Sequence, residues 1–394
     1  MSPRGFITLL IVTVLAVLGA VFMALQPTMS GSDPVAGEPM FPKLSQGLAE
    51  ASKVTVQTPQ YTASWELRDG VWVSPERGGY PSRAGTASDL VAGVARLTKV
   101  EGKTSNPDWY QYIRVGDPAA TPPTGVAHVT VATANGDVLA DAVLGARSFS
   151  IPASHTRGGM YVRIPAEAQT WLVEGSAAVP AGLPEWFDTL IDIPGPEITG
   201  VTILEGDKPV LETTKTDQTT GNYEIAYLDP AVGAAGDVAN SNSIRSLASG
   251  IVGLRFDDVR AIDSFAPGAT ARTDRFTMTS GMQLDVTLIE ADGAHWATFK
   301  ATAPQGSAGE AAAADITART GKWAFRLDAS RVTRLNQPVI NLIQKPGATP
   351  AGAGEGEVVP VPLDQSGKPA FVPQGGSAPA PAPLPPGATV LPMF

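Results

Sequence analysis

The chain contains no cysteine and only three histidines among its 394 residues. Without cysteine there are no disulfides, no thiolate metal sites and no lipobox thiol to acylate. The histidines, His128, His155 and His295, stand far apart. No His-Glu-x-x-His run or carboxylate cluster accompanies them, so metal ligation has no local spacing to support it. Basic residues are also scarce: 28 Lys plus Arg face 38 Asp plus Glu, a formal charge of −10. That balance argues against nucleic acid and against anionic head groups, both of which favour basic patches.

Charge of either sign is missing altogether from Phe6 to Leu25. Twenty helical residues span about 30 Å, the thickness of a bilayer's hydrocarbon core. No polar face runs along this stretch, which argues against a buried helix of a soluble protein. Residues 1–25 therefore read as an N-terminal transmembrane anchor. A cleaved signal is the alternative, with Ala16, Gly19 and Ala20 as small residues near a cleavage point. Arg4 and the amino terminus stay cytoplasmic, which places the body outside the cytoplasm.

Residues 26–50 read as a linker, with a polar Gly/Pro-bearing spacer from Ser30 to Pro39. At the other end, Pro346 to Phe394 holds 12 Pro and 8 Gly in 49 residues. So little periodic apolar surface cannot offset the entropy of ordering, and the segment reads as a disordered tail. Ala378 to Pro386 favours polyproline II. The apolar Ala388 to Phe394 is either a frayed end or a short docking peptide.

Between these ends the chain passes through similar elements twice, at 51–193 and 194–345. The first pass reads as strands at 53–57, 63–67 and 71–73 around Asp69-Gly70, then a helix from Thr86 to Val100 ending at Gly102. Strands follow at 128–132, 138–144, 160–164 and 170–173. The second pass has strands at 200–204, 209–212 and 222–226, and a helix from Ser241 to Leu254. Strands resume at 275–279, 283–290, 295–301 and 322–326, with a short helix from Asp328. Alternating or β-branched runs around Asp-Gly and Asn-Gly pairs carry these assignments. Val54 and Val201 lie 147 residues apart, as do Val129 and Phe276. The expectation is a tandem duplication of an α+β unit, antiparallel sheet with one covering helix. Trp186, Phe187 and Leu190 are expected to pack at the joint.

Chemistry-bearing residues are few. Ser154-His155 with Asp141 could form part of a hydrolytic triad, but no Gly-x-Ser-x-Gly elbow is present. Gly78-Gly79 and Gly158-Gly159 lack any phosphate-loop context and read as turns. Asp257-Asp258, beside Arg255 and Arg260, reads as a helix-end charge cluster. Trp109, Tyr110, Tyr112 and Trp171 are either core residues or a stacking platform for sugars or partners. Trp65 and Trp72 alternate with hairpin apolars and read as core.

Two segments carry a family resemblance. Trp109-Tyr-Gln-Tyr-Ile-Arg-Val-Gly-Asp-Pro118 resembles the Leu-Tyr-Asp-Arg-Ile-Gly-Val-Glu-Asp-Pro segment of the bacterial domain-of-unknown-function family 4340. Arg114 and Gly116 depart from that pattern. Gly158 to Gly175 is closer to the family's Gly-Gly-x-Tyr-Val-Arg-x-Pro-x-Glu-Ala-Gln-Ser-Trp-Leu run, and Val138 to Gly145 resembles its strand ending in Leu/Val-Gly. The likeness covers about Val54 to Ile193. It implies one N-terminal membrane helix and a gene neighbourhood shared with ABC transporters similar to the gliding-motility type. It implies no catalytic, cofactor-binding or metal residue.

The expected function is thus a periplasmic, inner-membrane-anchored, non-enzymatic accessory subunit. Its partners would be ABC transporter subunits and, through the helix, the bilayer, with no cofactor and no nucleic acid. The alternatives are a cell-envelope hydrolase acting on glycan or peptide, and a scaffold recruiting partners through its tail.

Overall fold

The computed structural model describes residues 36–151, 158–216, 221–265 and 272–347. The expected anchor, Ser154, His155 and the tail beyond Gly347 lie outside the described residues. Among those described, no helix is long and apolar enough to cross a membrane.

Part of the segment read as linker is folded. Met40, Phe41 and Leu44, at helix α1 (Pro42–Gln46), are buried in the core. Strands β1 (Lys53–Gln57), β2 (Thr62–Arg68), β3 (Val71–Ser74) and β4 (Tyr80–Pro81) then form an antiparallel meander. Asp69 and Gly70 both take positive φ, 50° and 81°, the backbone twist that a two-residue hairpin needs. Helix α2 (Thr86–Ala95) buries Leu90, Val91 and Val94. It stops short of the expected Val100, because Thr98–Gly102 is strand β5 instead. Gly102 lies inside that strand and is no helix stop. Helix α3 (Tyr110–Ile113) precedes β6 (Ala127–Ala132), β7 (Val138–Ser148), β8 (Gly159–Arg163) and β9 (Thr170–Glu174).

The second set comprises β10 (Ile198–Glu205), β11 (Lys208–Lys215), β12 (Tyr223–Leu228), β13 (Val238–Ala239), helix α4 (Ser241–Ala248) and β14 (Asp258–Ala261). After these come β15 (Arg272–Met278), β16 (Gln283–Ala291), β17 (Ala294–Thr302), helix α5 (Glu310–Thr320) and β18 (Trp323–Arg326). Helices α6 (Ala329–Leu335) and α7 (Val339–Leu342) and strand β19 (Ile343–Gln344) close the described chain. Asn240 caps α4 by accepting from the Ser243 amide, and Asp328 caps α6 through the Ser330 and Arg331 amides. Helix α4 ends at Ala248, short of the expected Leu254, and a 3-10 turn continues it. Helix α5, which the sequence reading lacks, lies on β17 with Thr317 and Thr320 donating to the Ala301 and Phe299 carbonyls.

The protein is mostly β, with two antiparallel sheets of nine and eight strands and some helices. The first runs β4-β3-β2-β1-β6-β7-β8-β9-β5, the second β12-β11-β10-β15-β16-β17-β18-β14. From β3 to β5 the first order is repeated by the second. Registers differ slightly from the sequence spacing. Val54 faces Val131 in one sheet and Val201 faces Phe276 in the other, so the counterpart of Phe276 is Val131 rather than Val129.

One continuous core joins the sheets. Trp186, Phe187 and Leu190 are buried within it, as expected of the joint. Trp65 stacks on Trp186 at 4.9 Å, and Phe187 stacks on Phe256 at 4.8 Å. Tyr80 sends its edge against Phe187, Phe256, Trp323 and Phe325. Such pairs add about 0.5–1.5 kcal/mol each beyond burial, so this aromatic cluster is the main weld.

Candidate functional site

Most sequence candidates are accounted for by packing. Asp141 Oδ1 lies 2.6 Å from His128 Nε2 and accepts a bond from Thr130 at 3.3 Å. His128 is partly exposed on β6, which runs between β1 and β7. In this cluster the acid sits between imidazole and hydroxyl, whereas a nucleophile must hydrogen-bond the base itself. His295 is the second residue of β17, opposite Glu290. Asp258 belongs to β14, not to a helix end, and takes the Arg77 guanidinium at 2.7 Å. Arg260 pairs with Asp292 and lies 4.7 Å over the Trp296 ring. Trp65 is fully buried and Trp72 partly so. Gly78 and Gly79 adopt the positive φ of turns, as does Gly158, while Gly159 begins β8. Burial pushes the Tyr80 hydroxyl up to about 12, which removes it from acid/base work near neutrality. No group of three or more His, Asp or Glu that could hold a metal occurs among the described residues.

The four aromatic candidates separate. Tyr110 is buried, its hydroxyl donating to the Ala168 carbonyl at 2.5 Å and its ring covered by the Arg163 guanidinium at 4.8 Å. Trp171 is half-buried beneath the Lys99 ammonium. Trp109 and Tyr112 instead face solvent, 59% and 73% exposed, with ring centroids 5.9 Å apart. The core alternative fails for this pair. With Asp108 and Gln111 they border a surface hollow of about 370 Å³.

Sequence positions this ridge tightly. Asn106 accepts from the Asp108 amide to start the turn, and Pro107 supplies a φ suited to a first helical position. Tyr110, Val115 and Val143 form a small second core, with Ile113 and Tyr161 against it. Gly145 makes the contact possible: a Cβ there would lie 2.5 Å from Val115 Cγ1 and 2.6 Å from the Ile113 carbonyl oxygen. Arg163 ties the segment down by donating to the Val115 carbonyl at 3.0 Å.

Behind the ridge lies a groove of about 390 Å³, whose lining includes Arg114, Val126, Leu144, Arg147, Met160 and Val179. An adjoining chamber of about 240 Å³ shares Arg147 and adds Phe149 and Ser176. Phe149 is 95% exposed. Neither lining contains a carboxylate. Among the described residues, the Arg114 and Arg147 side chains make no hydrogen bond or ion pair. Sequence reading singled out the aromatics but missed these arginines. The one signal was Arg114's departure from a Gly in the resembled segment.

Neither a protein-family model, a curated relative nor a solved structure matches the chain.

Proposed function

We propose that the protein is a membrane-anchored, periplasmic, non-enzymatic accessory subunit of an ABC-type transport system in a bacterial inner membrane. The observation that carries this is the exposed Trp109–Tyr112 pair, on a 3-10 turn and the short helix that follows it, packed against the sheet. Tyr and Trp offer large contact area at low conformational cost, and they dominate protein–protein hot spots. The uncharged run from Phe6 to Leu25 supports the anchor, and the likeness to family 4340 supports the transporter as partner.

The body is a tandem duplication, each unit an antiparallel sheet with a covering helix. The repeated strand order supports this more strongly than the residue spacing does. The ridge and its groove belong to the first unit.

The test is photo-crosslinking in intact cells, with the crosslinker placed at position 112. Transporter subunits should be captured, and Trp109→Ala in the same chain should reduce capture at least tenfold. Recovery of the protein without any transporter subunit counts against the proposal. External protease should cleave the body in spheroplasts; protection there would place it on the wrong side.

A further inference from the structure

We propose that the groove between Arg114 and Arg147 is an oxyanion site that takes a phosphate group. This rests on reading the same face as the binding face, and names a ligand class for it.

Two separate backbone irregularities deliver these arginines. Arg114 occupies the left-handed region at φ 56°, where a side chain other than Gly is strained. Arg147 follows a register shift: Leu144 faces Val162 but Arg147 faces Met160, a bulge that re-aims the side chain. The corresponding ladder of the second sheet, β16 with β17, pairs nine residues without interruption. The shift between β7 and β8 is thus not required by the shared strand order.

The chain carries −10 overall, yet two guanidinium groups line one groove with no carboxylate beside them. Arg275 and Arg272, by contrast, are matched with Asp285 and Asp274. Each guanidinium is a planar fork that can hold two oxygens. One fork saturates a carboxylate, whereas two forks suit the several oxygens of a phosphate. Val126, Met160 and Val179 supply an apolar wall for whatever bears the phosphate.

That bearer is either a free phosphorylated small molecule or a lipid head group, and the experiment has an arm for each. The full chain in neutral maltoside micelles is titrated with inorganic phosphate and with glycerol 3-phosphate by calorimetry. In parallel it is placed in galactolipid nanodiscs with and without phosphatidylglycerol, and amide exchange is read at residues 144–148. Saturable binding in micelles assigns the free source; protection only with phosphatidylglycerol assigns the head group. In either case Arg147→Gln should weaken the response at least tenfold and the double variant with Arg114→Gln should abolish it. Lys208→Gln, on β11 of the second sheet, controls for net charge. No response in either arm, or an unchanged response in the double variant, overturns the proposal. Persisting crosslinks from position 112 would then leave the transporter assignment standing.

Discussion

The Arg77 guanidinium donates from Nε to Asp258 Oδ1 at 2.7 Å, joining residues 181 positions apart. The two side chains are 12% and 22% exposed. Beside them Gly78 holds a positive φ, and a Cβ there would come within 3.1 Å of Ala261 Cβ. The turn after β3 is thus seated directly on β14, and the sheets meet through an ion pair next to their aromatic weld.

Removing one partner leaves a half-buried charge with less company. Asp258→Ala should cost about 2 kcal/mol in urea unfolding, below the cost of breaking a fully buried pair. Arg77→Ala should cost a similar amount, because Asp258 keeps the Val259 amide as a donor just as Arg77 keeps Glu76 and Ser74 in the converse variant. A double-mutant cycle should return a coupling of at least about 0.5 kcal/mol. Additive effects would mean that the pair does not help hold the sheets together.

Asp274 predicts a specific dependence on pH. It is 2% exposed on β15, and burial pushes its carboxyl up to about 6 against the opposing pull of Arg272. A carboxyl raised in the folded state holds its proton there longer than in the unfolded chain. Its contribution is therefore fully present below about pH 4 and falls as pH rises through about 6. The loss is on the order of 3 kcal/mol at about 1.4 kcal/mol per unit. Wild-type stability minus that of Asp274→Asn, measured by denaturant between pH 4 and 7, should decline across this window. A flat difference would refute the assignment.

Much of the fold is legible locally. Alternation marks β1, β6 and β16 within a residue or so, and Asp-Gly pairs mark two hairpins whose residues do take positive φ. Edge strands β5 and β14 are not legible, since their partners β9 and β18 lie far along the chain. Helix α5 escapes because only Ala313, Ile316 and Thr320 of its eleven residues are buried, too weak a stripe to read. The site escapes for a different reason. Aromatics at i and i+3 look alike whether covered or bare, and the φ of Arg114 and the bulge before Arg147 arise from tertiary closure. Asp141 shows the same limit: it faces Thr130 across the ladder and bonds the diagonal His128, which no sequence spacing favours.

Gly145 offers a way to disturb the ridge without touching its aromatics. In Gly145→Ala the new methyl must displace Val115 and the Ile113 carbonyl, and overpacking of this kind costs about 1–3 kcal/mol. Hydrogen exchange should accelerate at residues 110–116 while the second sheet stays protected. Crosslinking from position 112 should fall in parallel. Unchanged exchange in the ridge would show that the close approach has slack to absorb a methyl.

Arg114 separates stability from function by sign. Its left-handed backbone costs a non-Gly residue roughly 1 kcal/mol, which Gly does not incur. Arg114→Gly should therefore stabilise the protein by about 0.5–1 kcal/mol, reduced somewhat by the greater freedom of Gly in the unfolded chain. The same change removes one of the two guanidinium groups lining the groove, so phosphate binding should weaken at least tenfold. Arg114→Ala keeps the strain and loses the charge, so it should weaken binding equally with no gain in stability. A stabilised Gly variant that still binds phosphate as wild type does would leave the strained arginine without a purpose.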